Sequence, residues 1–465
     1  MKQIEKIQPS GHTYLQWAFT ILANTSFLTY GLQNAWVSPM SKVLQSDQSP
    51  IGRPLTNNEL SWVGSVPSLA GVFGAPLAVY IADKYGRRIG IMSVAFLQAL
   101  CWVIKLLPLT IETLILARIC CGLGGAATFN TVPIYVKDIC QANIRGRTGL
   151  LMMLSQNIGI LAMYAMGAYL DYYIVLWIVL VMPVLSIALL FLAPESPAFL
   201  VKVNKAEEAT ATIAKLRGLD ATDKVVQNEM DIIKREDEAF KSIADVSFKG
   251  ILKQRAWRRG FFLMMVIIIA HACNGAFTII TYASMILKQL RVIVSPELQS
   301  LSIPVFMIFA SLVSMSLVER LGRKVILATC YIISAIALGS LGTILVLQQQ
   351  GMTVPGWMPI VVIIVTVCCY AAAVSPMPFV IMSEMFNFQV RSKVMCCLLI
   401  EAWLLSFMQL FSYTRIADAF GAHVAFFIFV AINVFGAFCV LVFLPETKGK
   451  TVEEIENDLL KRKLR

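Results

Sequence analysis

The sequence predicts an all-α membrane protein of twelve transmembrane helices, arranged as two pseudo-symmetric six-helix halves with a short cytoplasmic helical linker between them. Three observations support this fold class. The 465 residues are 58% hydrophobic and only 14% charged, which is too apolar for a soluble domain. About twelve apolar stretches have the length of roughly 20 residues that a helix needs to cross a bilayer. Motifs of the first half also return, in the same order, in the second half.

Each apolar stretch is interpreted as one membrane span. The first span follows the polar stretch "MKQIEKIQPSGHTY", which has no small-residue cleavage site, so we expect a retained helix rather than a signal peptide. The twelve spans are placed at residues 14–37, 60–82, 89–107, 112–136, 148–170, 173–193, 258–287, 299–318, 325–346, 357–383, 393–415 and 422–444.

Basic residues set the expected orientation. Lysine and arginine accumulate in the loops after spans two, four, eight and ten, before span seven, and after span twelve. Such loops stay on the cytoplasmic side, so we expect a multi-pass plasma-membrane protein with both termini inside. The net charge of +11 is explained by this topology and by attraction to anionic lipid, and no nucleic-acid partner is expected.

The internal repeat divides the chain. "ADKYGRRIGI" at 82–91 returns as "VERLGRKVIL" at 318–327, and "FLAPESP" at 191–197 returns as "FLPETKG" at 443–449. The order is kept and the offset is nearly constant, so the halves are parallel repeats, each with an even number of spans. We therefore expect a first half at 1–194, a linker at 195–256, a second half at 257–445 and a cytoplasmic tail at 446–465.

The linker is charged and carries apolar residues at helical spacing. This pattern predicts short amphipathic helices on the cytoplasmic face, the first ending at Gly218 and the second beginning near Asp220 or Thr222. The alternative is a solvated segment that only joins the two halves.

Several motifs carry a family resemblance. Arg118 with "CCGLGG", "DKYGRR", "PESPAFL", "ERLGRK" and "PETKGK" together resemble the sugar porter family of the major facilitator superfamily, over nearly the whole chain. "AWVSP" at 35–39 and "PLTNNELSWVGS" at 54–65 are similar to the insect facilitated trehalose transporters. The resemblance implies a membrane transporter that works by alternating access, with a small-molecule solute and the lipid bilayer as partners. A functional monomer without cofactor, metal or enzymatic activity is expected.

Charged residues recur at the predicted cytoplasmic ends of the spans in both halves. In the resembled family these positions form a gate, whose pairs would form between the halves when the cytoplasmic side is closed and break when it opens. The alternative is that the charges only set topology. The expected gate residues are Arg87, Arg88, Asp138, Arg145, Glu195, Arg323, Lys324, Glu384, Arg391 and Glu446.

The predicted solute site departs from the family pattern. Sugar porters usually carry two glutamines, a glycine and an asparagine in span seven; aligned on Gly275, these positions hold His271, Ala272 and Phe277. Each sugar hydroxyl left without a partner costs about 1–3 kcal/mol. The solute is therefore less hydroxylated or differently held, or the site is remodelled. The expected binding residues are Gln33, Met153, Gln156, Asn157, His271, Asn274, Phe277, Tyr282, Phe379, Trp403 and Ser406.

Coupling to protons is a separate question. Proton-coupled members of the family carry a carboxylate in span one, where this chain has Gln33, so passive facilitation is favoured. His271 and Glu401 nevertheless lie near the predicted midplane, where a charge costs roughly 2.5–3.5 kcal/mol. For His271, solute contact, proton coupling and a hydrogen-bonded packing role all stay open, while Glu401 is either a coupling group or a structural acid.

Two further charges lie within spans. We expect Lys105 to extend to the outer interface, Arg118 to brace helix packing, and "GLGG" at 122–125 to allow close helix contact. The leading hypothesis is a passive facilitator for a small neutral solute, a sugar such as trehalose or a hexose, or a polyol. The alternatives are a proton-coupled carrier of a non-sugar organic solute and a non-transporting solute sensor.

Overall fold

The first half is built from helices. The computed structural model describes residues 11–141, 144–242, 248–290 and 299–461, and every regular element in these ranges is helical. The helices of the first half are α1 (Tyr14–Ala35), α2 (Val37–Leu44), α3 (Asn57–Tyr85), α4 (Arg87–Leu106), α5 (Ile111–Ile139), α6 (Arg145–Tyr169) and α7 (Tyr172–Leu190).

Four short helices follow in the linker, and the remaining helices form the second half and the tail. The linker helices are α8 (Pro197–Lys202), α9 (Ala206–Arg217), α10 (Lys224–Ser242) and α11 (Phe248–Lys253). The later helices are α12 (Arg255–Ala272), α13 (Ala276–Gln289), α14 (Ser302–Leu321), α15 (Arg323–Gln349), α16 (Met358–Cys369), a π-helical turn (Tyr370–Val374), α17 (Met377–Met385), α18 (Phe388–Phe420), α19 (Ala422–Phe443) and α20 (Val452–Lys461).

Ten helices within the described ranges are long and apolar enough to cross a membrane. They coincide with ten of the predicted spans, when α12 with α13 and α16 with α17 are each taken as one span. The other two predicted spans are the helices α1 and α14, of which α14 has a shorter apolar segment at Ser302–Ser314. The count of twelve membrane spans stays a prediction.

Three spans in the described chain are interrupted beside a proline or at a glycine. In span one the backbone at Trp36 keeps helical φ and ψ angles, but Pro39, three residues later, has no N–H to donate to the helix. This junction of α1 and α2 is called the bend of span one below. Span seven breaks at Gly275, whose φ of +98° is a left-handed conformation that glycine adopts without strain. Span ten contains the π-helical turn, which Pro376 and Pro378 follow. These breaks free backbone groups for contacts with side chains.

The helix contacts of one half are repeated in the other. The repeated pairs are α1–α6 with α12–α18, α3–α5 with α14–α16, and α4–α7 with α15–α19. The halves meet through α2 against α13, α3 against α18, and α6 against α14. This repetition is what a parallel duplication predicts.

The linker helices α8, α9 and α10 pack against one another, and α8 and α9 also contact the first half, whereas α11 contacts α12. α9 ends at Arg217, and Gly218 follows in the left-handed conformation, as predicted. α10 begins at Lys224, slightly later than predicted. The side chain of Arg217 is 1% exposed; it donates to the Ile139 carbonyl at 3.0 Å and pairs with Glu229 at 2.5 Å. The buried Arg217 side chain therefore joins α10 to the end of α5, so the linker is more than a solvated tether.

The tail helix α20 packs on the second half. Trp257 at the start of α12 donates to the Glu456 carboxylate at 2.8 Å, and Arg259 donates to the Leu459 carbonyl at 2.9 Å. The linker and the tail therefore lie at the same end of the bundle, which is called the linker end below. The opposite end, where α2 and α13 meet, is called the far end.

Candidate functional site

A carboxylate caps a helix at the linker end of the first half. The Glu195 side chain accepts the backbone N–H groups of Arg87 and Arg88 at 2.8 and 3.0 Å. These are the first residues of α4, whose N-terminal amides have no partner within the helix. A negative charge at this position is stabilised by the free amides and by the helix dipole.

The second half repeats this cap. The Glu446 side chain accepts the backbone N–H groups of Arg323 and Lys324, the first residues of α15, at 3.0 and 3.1 Å. Glu195 and Glu446 are therefore equivalent helix caps in the two repeats. The sequence repeat predicted their equivalence but not that they bind backbone amides.

A second acid joins each cap through a hydroxyl group. Ser196 donates to the Asp138 carboxylate at 2.6 Å in the first half, and Thr447 donates to the Glu384 carboxylate at 2.6 Å in the second. Glu384 also pairs with the Arg323 guanidinium at 3.0 Å. Each half therefore brings its predicted gate acids together in one cluster.

Other predicted gate residues also bond within their own half. These contacts are Arg87 with the Asp83 carboxylate (2.5 Å), Arg88 with the Ala193 carbonyl (3.2 Å) and Arg391 with the Phe386 carbonyl (3.1 Å). Arg145 begins α6, but its side chain lies outside the described part of the chain. In this conformation the ion pairs described at the linker end join groups of one half, and pairing between the halves stays a prediction.

The far end, in contrast, is closed by contacts between the halves. The Trp62 ring of α3 packs against the Phe411 ring of α18 at a centroid distance of 4.7 Å. Hydrogen bonds between the halves at this end include Ser38–Ser284 (3.1 Å), Ser61–Thr414 (2.7 Å), Asn57–Asp418 (3.1 Å) and Asn58–Arg415 (3.0 Å). The two halves are therefore held together at the end opposite the linker.

Aromatic side chains from both halves meet between the two ends. The Trp403 ring of α18 lies 6.4 Å from the Tyr30 ring and 6.2 Å from the Phe129 ring, both edge to face. Trp403 also lies over Gly71, where a Cβ would come within 2.8 Å of the indole. Trp403 was predicted as a site residue. Tyr30 and Phe129 were not, because no sequence pattern distinguishes them from other aromatic residues in spans.

His271 is half-buried beside this region and bonds to the broken span ten. Its Nδ1 lies 2.8 Å from the Val374 carbonyl, whose α-helical partner would be the N–H of residue 378, a proline. Nδ1 must donate to a carbonyl, so Nε2 of the neutral ring is left as an acceptor. The ring is stacked on Tyr370 at 6.3 Å and meets Phe379 edge to face at 5.5 Å. His271 and Phe379, two of the predicted binding residues, are thus in contact; their contact with a solute stays a prediction.

Asn274 forms hydrogen bonds at the break in span seven. Its amide donates to Asn433 of α19 at 2.9 Å, and Asn433 donates back to the Asn274 carbonyl at 2.9 Å. Gln409 of α18, in the amide orientation that satisfies its hydrogen bonds, accepts the Gly275 N–H at 2.8 Å. Sequence reasoning missed Asn433 and Gln409, although an amide in the middle of an apolar span is an available signal.

Gln33 and Tyr282 are also placed in helix packing. The Gln33 side chain is fully buried and donates to the Gln98 carbonyl at 3.1 Å. Tyr282 is fully buried and stacks on Tyr413 at 5.8 Å. Asn157 is 5% exposed and bridges the halves by donating to Ser311 at 3.3 Å.

The other predicted residues are half-buried. Met153, Gln156, Phe277 and Ser406 have intermediate exposure. The Gln156 amide oxygen has no hydrogen-bond partner in the described chain. One carboxylate oxygen of Glu401 is likewise buried without a partner there, so Glu401 is not a fully paired structural acid.

Two buried cations lie together in the first half. Arg118 is 1% exposed and donates to the carbonyls of Val63 and Gln33, both at 2.8 Å, which confirms its bracing role. The prediction for Lys105 was wrong, because its side chain is 0% exposed and does not reach the interface. Trp36, at the bend of span one, covers the last turn of α4 and encloses the ammonium group.

Comparison with known proteins agrees with the fold and with the repeated motifs. Residues 15–459 match the family model described as "Sugar (and other) transporter". The chain is 25% identical to the facilitated trehalose transporter Tret1 of Anopheles gambiae, over 99% of this chain and 58% of that protein. It is 26% identical to Tret1 of Polypedilum vanderplanki, over 97% of this chain and 89% of that protein. The chain thus spans little more than half the length of some of these relatives.

Solved structures share the fold. The inward open conformation of the xylose transporter XylE from E. coli matches with a TM-score of 0.78 and 20% identity, over 95% of this chain and 99% of that one. XylE bound to 6-bromo-6-deoxy-D-glucose, a proton:xylose symporter, matches with a TM-score of 0.72 and 20% identity, over 96% and 99% of the chains. The match along nearly the whole sequence shows that this chain belongs to the sugar (and other) transporter family.

Proposed function

We propose that this chain is a membrane transporter that moves a small neutral solute by alternating access, as a passive facilitator. The observation that carries the proposal is the asymmetry between the two ends of the bundle. Hydrogen bonds join the halves at the far end, while each acid cluster at the linker end has its described hydrogen-bond partners within its own half. Rocking of two parallel halves about a central site would exchange these arrangements.

A sugar such as trehalose or a hexose, or a polyol, is the proposed solute. The facilitated trehalose transporters are the sequence relatives that support this choice. Trp403 and Phe379 are proposed to pack against the apolar side of a sugar, and Nε2 of His271 to accept a hydrogen bond from one of its hydroxyls. Met153, Gln156, Asn157, Phe277 and Ser406 are proposed to complete the site.

Gln33, Asn274 and Tyr282 are proposed to act through helix packing rather than by touching the solute. Gln33 also supports passive transport, because an amide side chain cannot titrate. Its amide nitrogen already donates to the Gln98 carbonyl.

The first alternative is a proton-coupled carrier of a non-sugar organic solute. Glu401 favours this alternative, because one of its carboxylate oxygens is buried without a partner in the described chain and an acid at this depth is a candidate proton site. A non-transporting solute sensor is the second alternative, which the central aromatic contacts alone do not distinguish from a transporter.

The domain division and the location are part of the proposal. We propose halves at 1–194 and 257–445, a linker at 195–256 and a tail at 446–465. We propose that the protein acts as a monomer in the plasma membrane. Its termini are proposed to be cytoplasmic, because the basic loops lie at the linker end.

Uptake into vesicles that contain the purified protein tests the proposal. Radiolabelled trehalose, glucose and a polyol would be compared with and without an inward proton gradient, and Trp403→Ala vesicles would serve as a matched control. Saturable uptake that does not respond to the gradient, and that Trp403→Ala weakens, is expected. Uptake that requires the gradient would favour the proton-coupled alternative, and no uptake of any solute would favour the sensor.

A further inference from the structure

Lys105 is a buried ammonium group in an aromatic cage. Its side chain is 0% exposed, as are those of Trp36 and Trp102. The Nζ atom lies 3.7 Å from the centre of the Trp36 ring and 4.1 Å from the centre of the Trp102 ring. It has no hydrogen-bond acceptor in the described chain, so the indole faces take the place of its hydration shell.

The cage includes the bend of span one. Trp36 is the residue at which α1 passes into α2. The Tyr172 ring of α7 packs against the Trp36 ring, with the two ring centroids 6.2 Å apart. A cation held between Trp36 and Trp102 therefore ties the bend of span one to the last turn of α4.

The residues that follow this bend make one of the contacts between the halves at the far end. Ser38, two residues after Trp36, lies with its hydroxyl 3.1 Å from the Ser284 hydroxyl and accepts the Ser284 N–H at 3.1 Å. Ser284 belongs to α13, the outer part of the broken span seven. We propose that Lys105 is a positioning residue whose ammonium group holds the bend of span one, and through it the closure of α2 against α13.

The charge of Lys105 is essential to this role. A neutral amine is not attracted to the ring quadrupole as an ammonium is, so loss of the proton would loosen the Trp36 contact. The polar or titratable groups around Lys105 are Cys101 on its own helix, Arg118 and Cys121 from α5, and Tyr172 from α7. None of these described neighbours is a carboxylate that could replace the indole rings as a partner.

This inference rests on the proposed alternating access, but its test measures the closure directly and needs no solute. Hydrogen–deuterium exchange of the purified protein would compare wild type, Lys105→Met, Lys105→Arg and the control Lys288→Met. Lys288 is an exposed lysine in α13, four residues after Ser284. Exchange at residues 37–44 and 276–289 is expected to rise about fivefold or more in Lys105→Met, and to stay near the wild-type rate in Lys105→Arg and in the control.

The Lys105→Arg variant separates charge from shape, because it keeps the cation and changes the side chain that carries it. The proposal is overturned if Lys105→Met exchanges like wild type, if its exchange rises equally over both halves, or if Lys105→Arg behaves like Lys105→Met. A failure of solute uptake would count against the proposed function and not against this result.

Discussion

Replacing Asn433 by alanine tests whether span twelve holds the break in span seven. Asn433 is fully buried and exchanges two hydrogen bonds of 2.9 Å with Asn274, one with the side chain and one with the backbone carbonyl. Alanine removes both bonds. It leaves an amide N–H and a carbonyl of Asn274 buried without these partners.

The magnitude follows from these two groups. A buried polar group without a partner costs about 1–3 kcal/mol, whereas a hydrogen bond between helices in a membrane averages about 0.6 kcal/mol. We expect Asn433→Ala to lower the free energy of unfolding by about 2 kcal/mol, between these limits, because Gln409 still bonds to the break at Gly275.

Denaturant unfolding in mixed micelles would measure this loss. Asn130→Ala is the matched control, since Asn130 is a half-buried amide that donates only along its own helix, to the Ala126 carbonyl at 3.1 Å. It should change stability by less than about 0.5 kcal/mol. Equal losses in the two variants would refute the role given to Asn433.

Three further predictions concern the site, the cap and the break. His271→Ala should weaken solute affinity far more than Arg391→Ala, which should mainly slow turnover; concentration-dependent uptake separates the two, and the reverse pattern would contradict the assigned roles. Glu446→Gln should lower the free energy of unfolding by about 0.5–1 kcal/mol, because the charge at the start of α15 is lost; unfolding titrations that match wild type would argue against the cap. Gly275→Ala should cost about 1–3 kcal/mol, because φ is +98° and a Cβ would lie 2.7 Å from Phe429; an unchanged unfolding midpoint would exclude strain at this residue.

Much of the fold could be predicted because it depends on local composition. A span of 20 apolar residues has few alternatives to a helix in a bilayer. The breaks beside Pro39 and at Gly275 were not predicted, because a proline alone does not mark a break: Pro67 and Pro133 lie inside unbroken helices. Glu195 and Glu446 could be matched through the repeat alone. The groups that these carboxylates bind could not be predicted, because the start of each helix and the acid that caps it come from distant parts of the sequence.

The candidate site was less predictable because its polar groups are satisfied over long sequence distances. Asn274 was assigned to the solute, yet its partner Asn433 lies in another span. Lys105 was expected at the interface, because a lysine near the end of a span usually extends its charge to water. That rule assumes that the lysine side chain faces lipid. Here the Lys105 side chain instead contacts Trp36, which comes from a distant segment of the sequence.

The two acid clusters also bear on how the chain would change state in the proposed alternating access. If the gate carboxylates had partners only across the interface, opening the linker end would leave buried charges unpaired and would cost several kcal/mol. Here Asp138 and Glu384 keep hydroxyl partners in their own halves, and Glu195 and Glu446 keep backbone amides. Each of these carboxylates therefore has a described partner within its own half in this conformation. The balance between states then depends on differential contacts between the halves, such as those described at the far end beside Trp36.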